Sequence, residues 1–203
     1  DCGNATSATQ TITIIDTTSP VFTSIPADYT AECSENHPMD DASATDNCGE
    51  VIITVEATVT PGECAGDYII TREFTATDDC GNATSATQTI TIIDTTAPEF
   101  TFVPSDYTAE CSDDHPMDDA SATDNCGQVT IDVVDTTIAG ECAGDYTITR
   151  EFTATDDCGN ATSVTQTITI IDTTSPVLTI PADYTAECSD DHPMEDALVG
   201  DNC

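Results

Sequence analysis

Between residues 99 and 171 apolar and polar positions alternate in short runs of Thr, Val, Ile, Tyr and Phe, and Pro, Gly, Asn and Asp interrupt the runs. β-Branched and aromatic residues at a period of two, separated by turn formers, predict strands. The runs place them at 99–103, 106–111, 128–134, 144–156 and 162–171, with a long polar connection at 112–127. No stretch carries a helical period. In 144–156 strict alternation sends Tyr146, Ile148, Phe152 and Ala154 to one face, and Thr147, Thr149, Glu151, Thr153 and Thr155 to the other. Several short strands at this spacing predict an all-β fold, a β-sandwich of immunoglobulin-like type.

Arg150 interrupts that pattern, because alternation puts it on the apolar face, and Arg72 holds the same place in the preceding 78 residues. One reading is a local bulge, or a side chain that snorkels to the sheet rim. The other is a partly buried guanidinium clamping a carboxylate, since an unpaired buried charge costs several kcal/mol. Glu110, Asp106 or a linker carboxylate are the candidate partners. Both readings are structural.

The pattern also recurs. DCGNATSATQTITIIDTT at 1–18 returns unchanged at 79–96 and, with Val164 for Ala86, at 157–174, an interval of 78 residues. DYTAEC, TDNCG and ECAGDY keep the same interval, and the third copy is one residue shorter before Cys188. A unit of this length is a small domain rather than a solenoid repeat. The expected organisation is the C-terminal part of a preceding repeat at 1–18, full repeats at 19–96 and 97–174, and the N-terminal part of a following repeat at 175–203. The two end pieces together still lack the counterpart of Gly49–Asp78, so they do not complete each other. The chain reads as a window on a longer tandem array.

Eleven cysteines support a disulfide framework and an oxidising, extracellular setting. Pairing neighbours gives Cys33–Cys48, Cys64–Cys80, Cys111–Cys126, Cys142–Cys158 and Cys188–Cys203, leaving Cys2. Cys33–Cys80 with Cys48–Cys64 is the alternative. Each neighbour bond closes a loop of about 15 residues, which the chain-entropy treatment values at roughly 3 kcal/mol. With 5% aromatic residues and no Trp, so small a domain needs such help. Zinc would compete for paired cysteines, but no CxxC is present.

Thirty-nine acids against two arginines give a formal charge of −37, which repels nucleic acid and anionic membranes. No apolar run approaches membrane-spanning length. Two readings explain the charge: specific calcium sites, or a diffuse acidic coat that keeps a secreted fibre soluble. Calcium takes six to eight oxygen ligands, and junctions between sandwich domains can gather them. The junctions read IDTTSPVF at 15–22, IDTTAPEF at 93–100 and IDTTSPVL at 171–178. An Asp four residues before a Pro resembles the calcium-binding junctions of cadherins, without their second acid and asparagine. The candidate ligands are Asp16, Asp94 and Asp172 at the junctions and Asp46, Asp78 and Asp124 in the turns, with Asp94 approaching Asp46, Asp78 or Asp124.

His37, His115 and His192 lie in the acidic loops, and solvated loop histidines are expected there. Asn4, Asn82 and Asn160 head Asn-Ala-Thr sequons, but their place after Cys-Gly points to a turn role. Nothing resembles a nucleophile elbow, and near-verbatim repetition disfavours an enzyme.

The succession D-x-T-x-E-C, T-D-N-C-G, T-R-x-F-T-A-T-D-x-C-G-N and A-T-Q-T-I-T-I-x-D-T-T-x-P resembles the hyalin-type, HYR-like repeats of giant surface proteins of Bacteroidetes. That resemblance covers essentially the whole chain. It implies an immunoglobulin-like sandwich in a protein exported by the type IX secretion system, such as a gliding adhesin or a prey-capture filament. It also implies O-glycosylation at D-[ST]-small motifs, which Thr17, Thr95, Thr136 and Thr173 fit, although simple strand-end chemistry accounts for those threonines too. The function expected is a structural or adhesive stalk or filament at the cell surface, with adjacent repeats as partners and several chains able to bundle. A ligand-binding ectodomain, or the passive stalk of a secreted enzyme, are the alternatives. Nearly identical loops between copies disfavour the former.

Overall fold

The computed structural model describes residues 2–142, 144–190 and 195–203. They divide into two compact units, Asp1–Thr95 and Thr96–Cys203, and no helix occurs among the described residues.

Unit 1 contains β1 (Val21–Ser24), β2 (Tyr29–Glu32), β3 (Ser43–Thr45), β4 (Val51–Pro61), β5 (Tyr68–Asp78) and β6 (Ala83–Ile93). A four-stranded sheet runs β2-β6-β5-β4, and β1 pairs with β3 in a two-stranded sheet. β2 joins β6 in parallel, with Tyr29 opposite Ile90, and the long pairs β4–β5 and β5–β6 are antiparallel. Unit 2 repeats the plan with β7 (Glu99–Phe102), β8 (Tyr107–Glu110), β9 (Ser121–Thr123), β10 (Val129–Ala139), β11 (Tyr146–Asp156) and β12 (Ala161–Ile171), in the sheets β10-β11-β12-β8 and β7-β9. β13 (Val177–Thr179) pairs with β14 (Leu198–Gly200), as β7 does with β9.

The alternation of 144–156 is realised in β11: Ile148, Phe152 and Ala154 are buried, and Ile168 and Ile170 of β12 join them from the neighbouring strand. Burying an aliphatic or aromatic side chain of this size stabilises by about 1.5–3 kcal/mol each. In unit 1 the same face carries Ile70, Phe74, Ala76, Ile90 and Ile92. Two details depart from expectation. A short strand, β9, lies inside the connection expected to be unstructured, and β10 runs to Ala139 rather than ending at 134.

Arg72 and Arg150 are 6% and 4% exposed, on the core face of β5 and β11. The ladder runs through them without interruption, Arg150 lying opposite Asp135 on one side and Gln166 on the other, which removes the bulge and the rim-snorkelling readings. The clamp exists, but its main partner is a carbonyl. Arg150 Nη1 donates to Asp118 O at 2.7 Å, and Arg72 Nη1 donates to Asp40 O at 2.7 Å. The carboxylate that Arg150 reaches is Asp135, Nε to Oδ1 at 3.2 Å, rather than Glu110 or Asp106, because Asp135 lies directly across the strand pair. Unit 1 has Ala57 at that place, and Arg72 turns to Gln88 Oε1 at 3.0 Å. Each guanidinium also stacks over its own strand's aromatic ring, at 4.9 Å from the Phe74 centroid and 5.0 Å from the Phe152 centroid.

Candidate functional site

In unit 1 the carboxylates of Asp16, Asp46 and Asp78 converge, each offering one oxygen within 4.8 Å of the others. Local turns aim them. Asp78 ends β5, where its Oδ1 accepts the amides of Cys80 (2.9 Å) and Asn82 (2.8 Å) and its Oδ2 accepts Asn82 Nδ2 at 2.8 Å. Gly81, at φ +90°, lets the chain close that turn. Asp46 Oδ2 accepts the Cys48 amide at 2.8 Å, and Asp16 Oδ1 accepts the Thr18 amide at 3.0 Å. These bonds consume one oxygen of Asp16 and one of Asp46. Asp16 Oδ2 and Asp46 Oδ1 are then buried with no hydrogen-bond partner at all.

Electrostatics sharpen the point. Asn82, donating to the Asp78 carboxylate, holds its pKa below the ordinary value against the opposing effect of burial, and the amides of Cys80 and Gly81 act the same way. Asp78 is therefore a carboxylate, and two more acidic groups with orphaned oxygens face it. Three hard anionic donors in one pocket fit a calcium-sized cation and suit neither a soft metal nor a phosphate. Among the sequence candidates, Asp46 and Asp78 thus meet Asp16 rather than Asp94. Asp94 follows β6 directly, its amide donating to Asp67 Oδ1 at 2.9 Å, while Asp124 Oδ2 accepts the Cys126 amide at 2.8 Å. Asp172 lies beside Glu110 and the Cys111–Cys203 bond, and its amide donates to Asp145 Oδ1 at 2.8 Å. In unit 2 Asp156 is held down as well: burial would raise it, but hydrogen bonds from Asn160, Cys158 and Gly159 outweigh that.

A second junction element escaped the sequence reading. Glu110, the last residue of β8, accepts the amide and hydroxyl of Thr173, both at 2.9 Å, and the amide and hydroxyl of Thr174 at 3.2 and 2.9 Å. The Thr173 amide, with these other donors, holds the Glu110 pKa at about 2, down from 4.5. Glu32 grips the Thr95 amide and hydroxyl in the same way, both at 3.0 Å. The signal lay in the repeat itself, where each Glu-Cys recurs with a later Asp-Thr-Thr.

The acidic loops are anchored as well. In unit 2 Tyr107 donates to Pro116 O at 3.1 Å, His115 Nε2 meets Glu110 O at 3.1 Å, and Arg150 holds Asp118 O. Tyr29, His37 and Arg72 repeat the set on Pro38, Glu32 and Asp40. His37 and His115 are half-buried anchors rather than solvated loop residues, and His192 lies outside the described residues. The hydroxyls expected to carry glycans divide. Those of Thr95 and Thr173 donate to Glu32 and Glu110, a bond that O-glycosylation would abolish, whereas Thr17 and Thr136 are exposed. The amide of Asn82 is likewise spent inside its turn.

The cysteines correct the sequence reading most sharply. Cys33, Cys64, Cys111, Cys126, Cys158 and Cys203 are disulfide-bonded, while Cys2, Cys48, Cys80, Cys142 and Cys188 are exposed free thiols. Cys111 is bonded to Cys203, with a Cα–Cα distance of 6.2 Å. Neither within-repeat scheme survives: Cys48 and Cys80 are free where Cys33 and Cys64 are bonded, and Cys111 bonds neither Cys126 nor Cys158. The reason is positional. Cys111 sits at the end of β8 with its amide on Ile171 O at 3.0 Å, where residues 201–203 reach it.

A tandem set of disulfide-bearing β-sandwich repeats with clustered junction carboxylates is the class that fold and site define. Residues 21–92 and 101–170 match the family described as HYR-like domain with 4 cysteines, and the chain belongs to that family. It is also 35% identical to hyalin of Strongylocentrotus purpuratus, over 89% of this chain and 16% of that protein, so it spans about a sixth of this relative's length. Among solved structures, Drosophila N-cadherin EC1-4 is similar at 15% identity and a TM-score of 0.35, covering 76% of this chain and 50% of that one. Human mucin-like protocadherin EC1-2 is similar at 11% identity and a TM-score of 0.31, covering 75% and 98%.

Proposed function

We propose that this chain is a structural and adhesive segment of a long extracellular repeat protein, a stalk or filament whose junctions calcium stiffens. One observation carries the reading. Asp16 Oδ2 and Asp46 Oδ1 are buried without a donor beside the ionised Asp78, and Asp16 belongs to the segment before the repeat that supplies Asp46 and Asp78. Uncompensated buried carboxylate oxygens are costly, and a divalent cation resolves the cost by drawing preceding segment and repeat together. The role is mechanical rather than catalytic. Cystine-bearing repeats suit an oxidising exterior. The finer setting belongs to the same proposal: a giant surface adhesin of the Bacteroidetes type, secreted by the type IX system, serving attachment, gliding or capture, with chains bundled side by side. Near-identity of the repeats supports it, since lateral faces then recur along the chain.

The test is thermal unfolding of the oxidised chain in millimolar calcium and in EDTA at equal ionic strength, for the wild type and for Asp46→Asn. A site present only in the folded state stabilises by about 2.7 kcal/mol when calcium is at a hundredfold excess over Kd. Calcium should raise the midpoint of the wild type and raise that of Asp46→Asn by less. Equal midpoints in both media for the wild type would reduce the acids to a solvated coat.

A further inference from the structure

We propose that the disulfides of this protein act between repeats: the first cysteine of one repeat, in Tyr-Thr-Ala-Glu-Cys, bonds the second cysteine, in Asp-Asn-Cys, of the repeat that follows. This goes beyond the calcium reading and does not depend on it. The bond is present once in unit 2, where Cys111 of the repeat at 97–174 holds Cys203, 92 residues further on in the segment that starts at 175. The seat around it is built for that arrival. Cys111 is fixed by its amide on Ile171 O at 3.0 Å, and Asn202 Nδ2 donates to Ser112 Oγ at 3.3 Å. Gly144, at φ +146°, leaves the room: a Cβ there would stand 3.0 Å from Cys203 Cβ and 3.3 Å from Asp172 Cβ. Cys142, in the same repeat as Cys111, keeps a free thiol, so pairing within the repeat is not what the fold selects.

Two of the free thiols, Cys48 and Cys188, fall under the rule. Cys188 follows Tyr184-Thr185-Ala186-Glu187 and precedes Ser189, the same residues that flank Cys111, and it is free and exposed. Cys48 ends Asp46-Asn47-Cys48, the same turn that delivers Cys203, and it too is free and exposed. Cys188 is thus the attachment point for a repeat that follows, and Cys48 for one that precedes. Cys33, at the first position of its repeat, has its amide on Ile93 O at 2.9 Å, the same seat as Cys111. Each bond forms as two thiols lose two protons and two electrons to a disulfide acceptor, such as oxidised glutathione or the cystine of a thiol oxidoreductase, and that acceptor leaves as two thiols. Each junction then has two covalent paths, the backbone and the cystine, so a pull along the chain does not load the Pro-containing linker alone.

The test is disulfide mapping of the 203-residue chain after oxidative refolding. Free thiols are alkylated in denaturant, the chain is cut after glutamate in acid, where exchange is suppressed, and fragments are weighed before and after reduction. Cleavage after Glu110, Glu141, Glu187 and Glu195 places Cys111 together with Cys126 in 111–141, Cys188 in 188–195 and Cys203 in 196–203, so a variant must tell which of the two holds Cys203. The expected result is 196–203 joined to 111–141, with 188–195 alkylated. In Cys203→Ser, Cys111 should be alkylated in addition to Cys188, and Cys126 should not. A 196–203 fragment joined to 188–195, or alkylated in the wild type, overturns the proposal.

Discussion

Replacing Arg150 by Met tests whether the guanidinium is the pin between acidic loop and sheet. Met keeps most of the apolar stem over Phe152 but removes every donor. The charged bond to Asp118 O, at 2.7 Å from a residue 4% exposed, is worth about 1.5–3 kcal/mol. The pair with Asp135, whose side chain is 44% exposed, adds at most about 1 kcal/mol, because water replaces the lost partner. The expected cost is therefore about 2–3 kcal/mol, or roughly 10–20 °C in the midpoint of a domain this size. Urea unfolding of the oxidised chain measures it, and hydrogen exchange locates it: amides of residues 117–123 should lose protection before those of β11 and β12. Asp135→Ala should cost less than about 1 kcal/mol. A change below about 0.5 kcal/mol in Arg150→Met, or an Asp135→Ala variant equally damaged, would refute the assignment of the carbonyl as main partner.

Two further outcomes follow from the junction. Glu110 is depressed from 4.5 to about 2 and Asp78 and Asp156 lie below their ordinary values, so their contribution is full above the unfolded pKa and lost as pH falls from about 4.5 towards 2. Melting scans in calcium-free buffer should show that decline, shallower in Glu110→Gln. Gly144→Ala should hinder closure of Cys111–Cys203, since its Cβ would crowd the Cys203 Cβ at 3.0 Å. Alkylation after refolding should then find a growing fraction with seven reactive thiols in place of the five of the wild type, those five being Cys2, Cys48, Cys80, Cys142 and Cys188.

Strand existence was legible wherever a strand has one buried face, and β11 shows why: its period of two is written in Ile148, Phe152 and Ala154. The far half of β10 was not legible. As an edge strand beyond the covered part of the sheet, Asp135–Ala139 is exposed on both faces, so no alternation marks it. β9 was missed because Ser121, Ala122 and Thr123 are small and bury little, and their place comes from pairing with β7. Burial of Arg150 could be read from its parity in the strand. Its partner could not, because a backbone carbonyl has no letter in the sequence. The carboxylate candidates Asp16, Asp46 and Asp78 were all visible, but which three meet depends on the turns after β3 and β5 and on where the segment before β1 passes them. Cysteine pairing was least legible. The neighbour rule minimises loop length, whereas a closed loop of about 92 residues constrains the unfolded chain by about 4.6 kcal/mol against roughly 3 for a short one.

The Asp-Asn-Cys turn links the two proposals at the level of chemistry. In Asp46-Asn47-Cys48, the first residue supplies a carboxylate to the trio with Asp16, and the third presents a free thiol at the position that Cys203 occupies against Cys111. One turn of a repeat therefore offers both a ligand and a crosslink to the segment before it. The two act on opposite sides of the same electrostatic problem. A chain at −37 repels itself, and carboxylates gathered at a junction concentrate that repulsion where the linker is thinnest. A cystine holds the junction closed against the repulsion whatever the solution contains. A cation removes the repulsion but only while it is bound. In a chain extended by a preceding repeat whose first cysteine holds Cys48, reduction should therefore leave that junction dependent on calcium alone, and the calcium-induced rise in midpoint should be larger in the reduced chain than in the oxidised one. An equal rise in both would mean that cation and cystine stabilise separate elements, and that the shared turn is a coincidence of sequence.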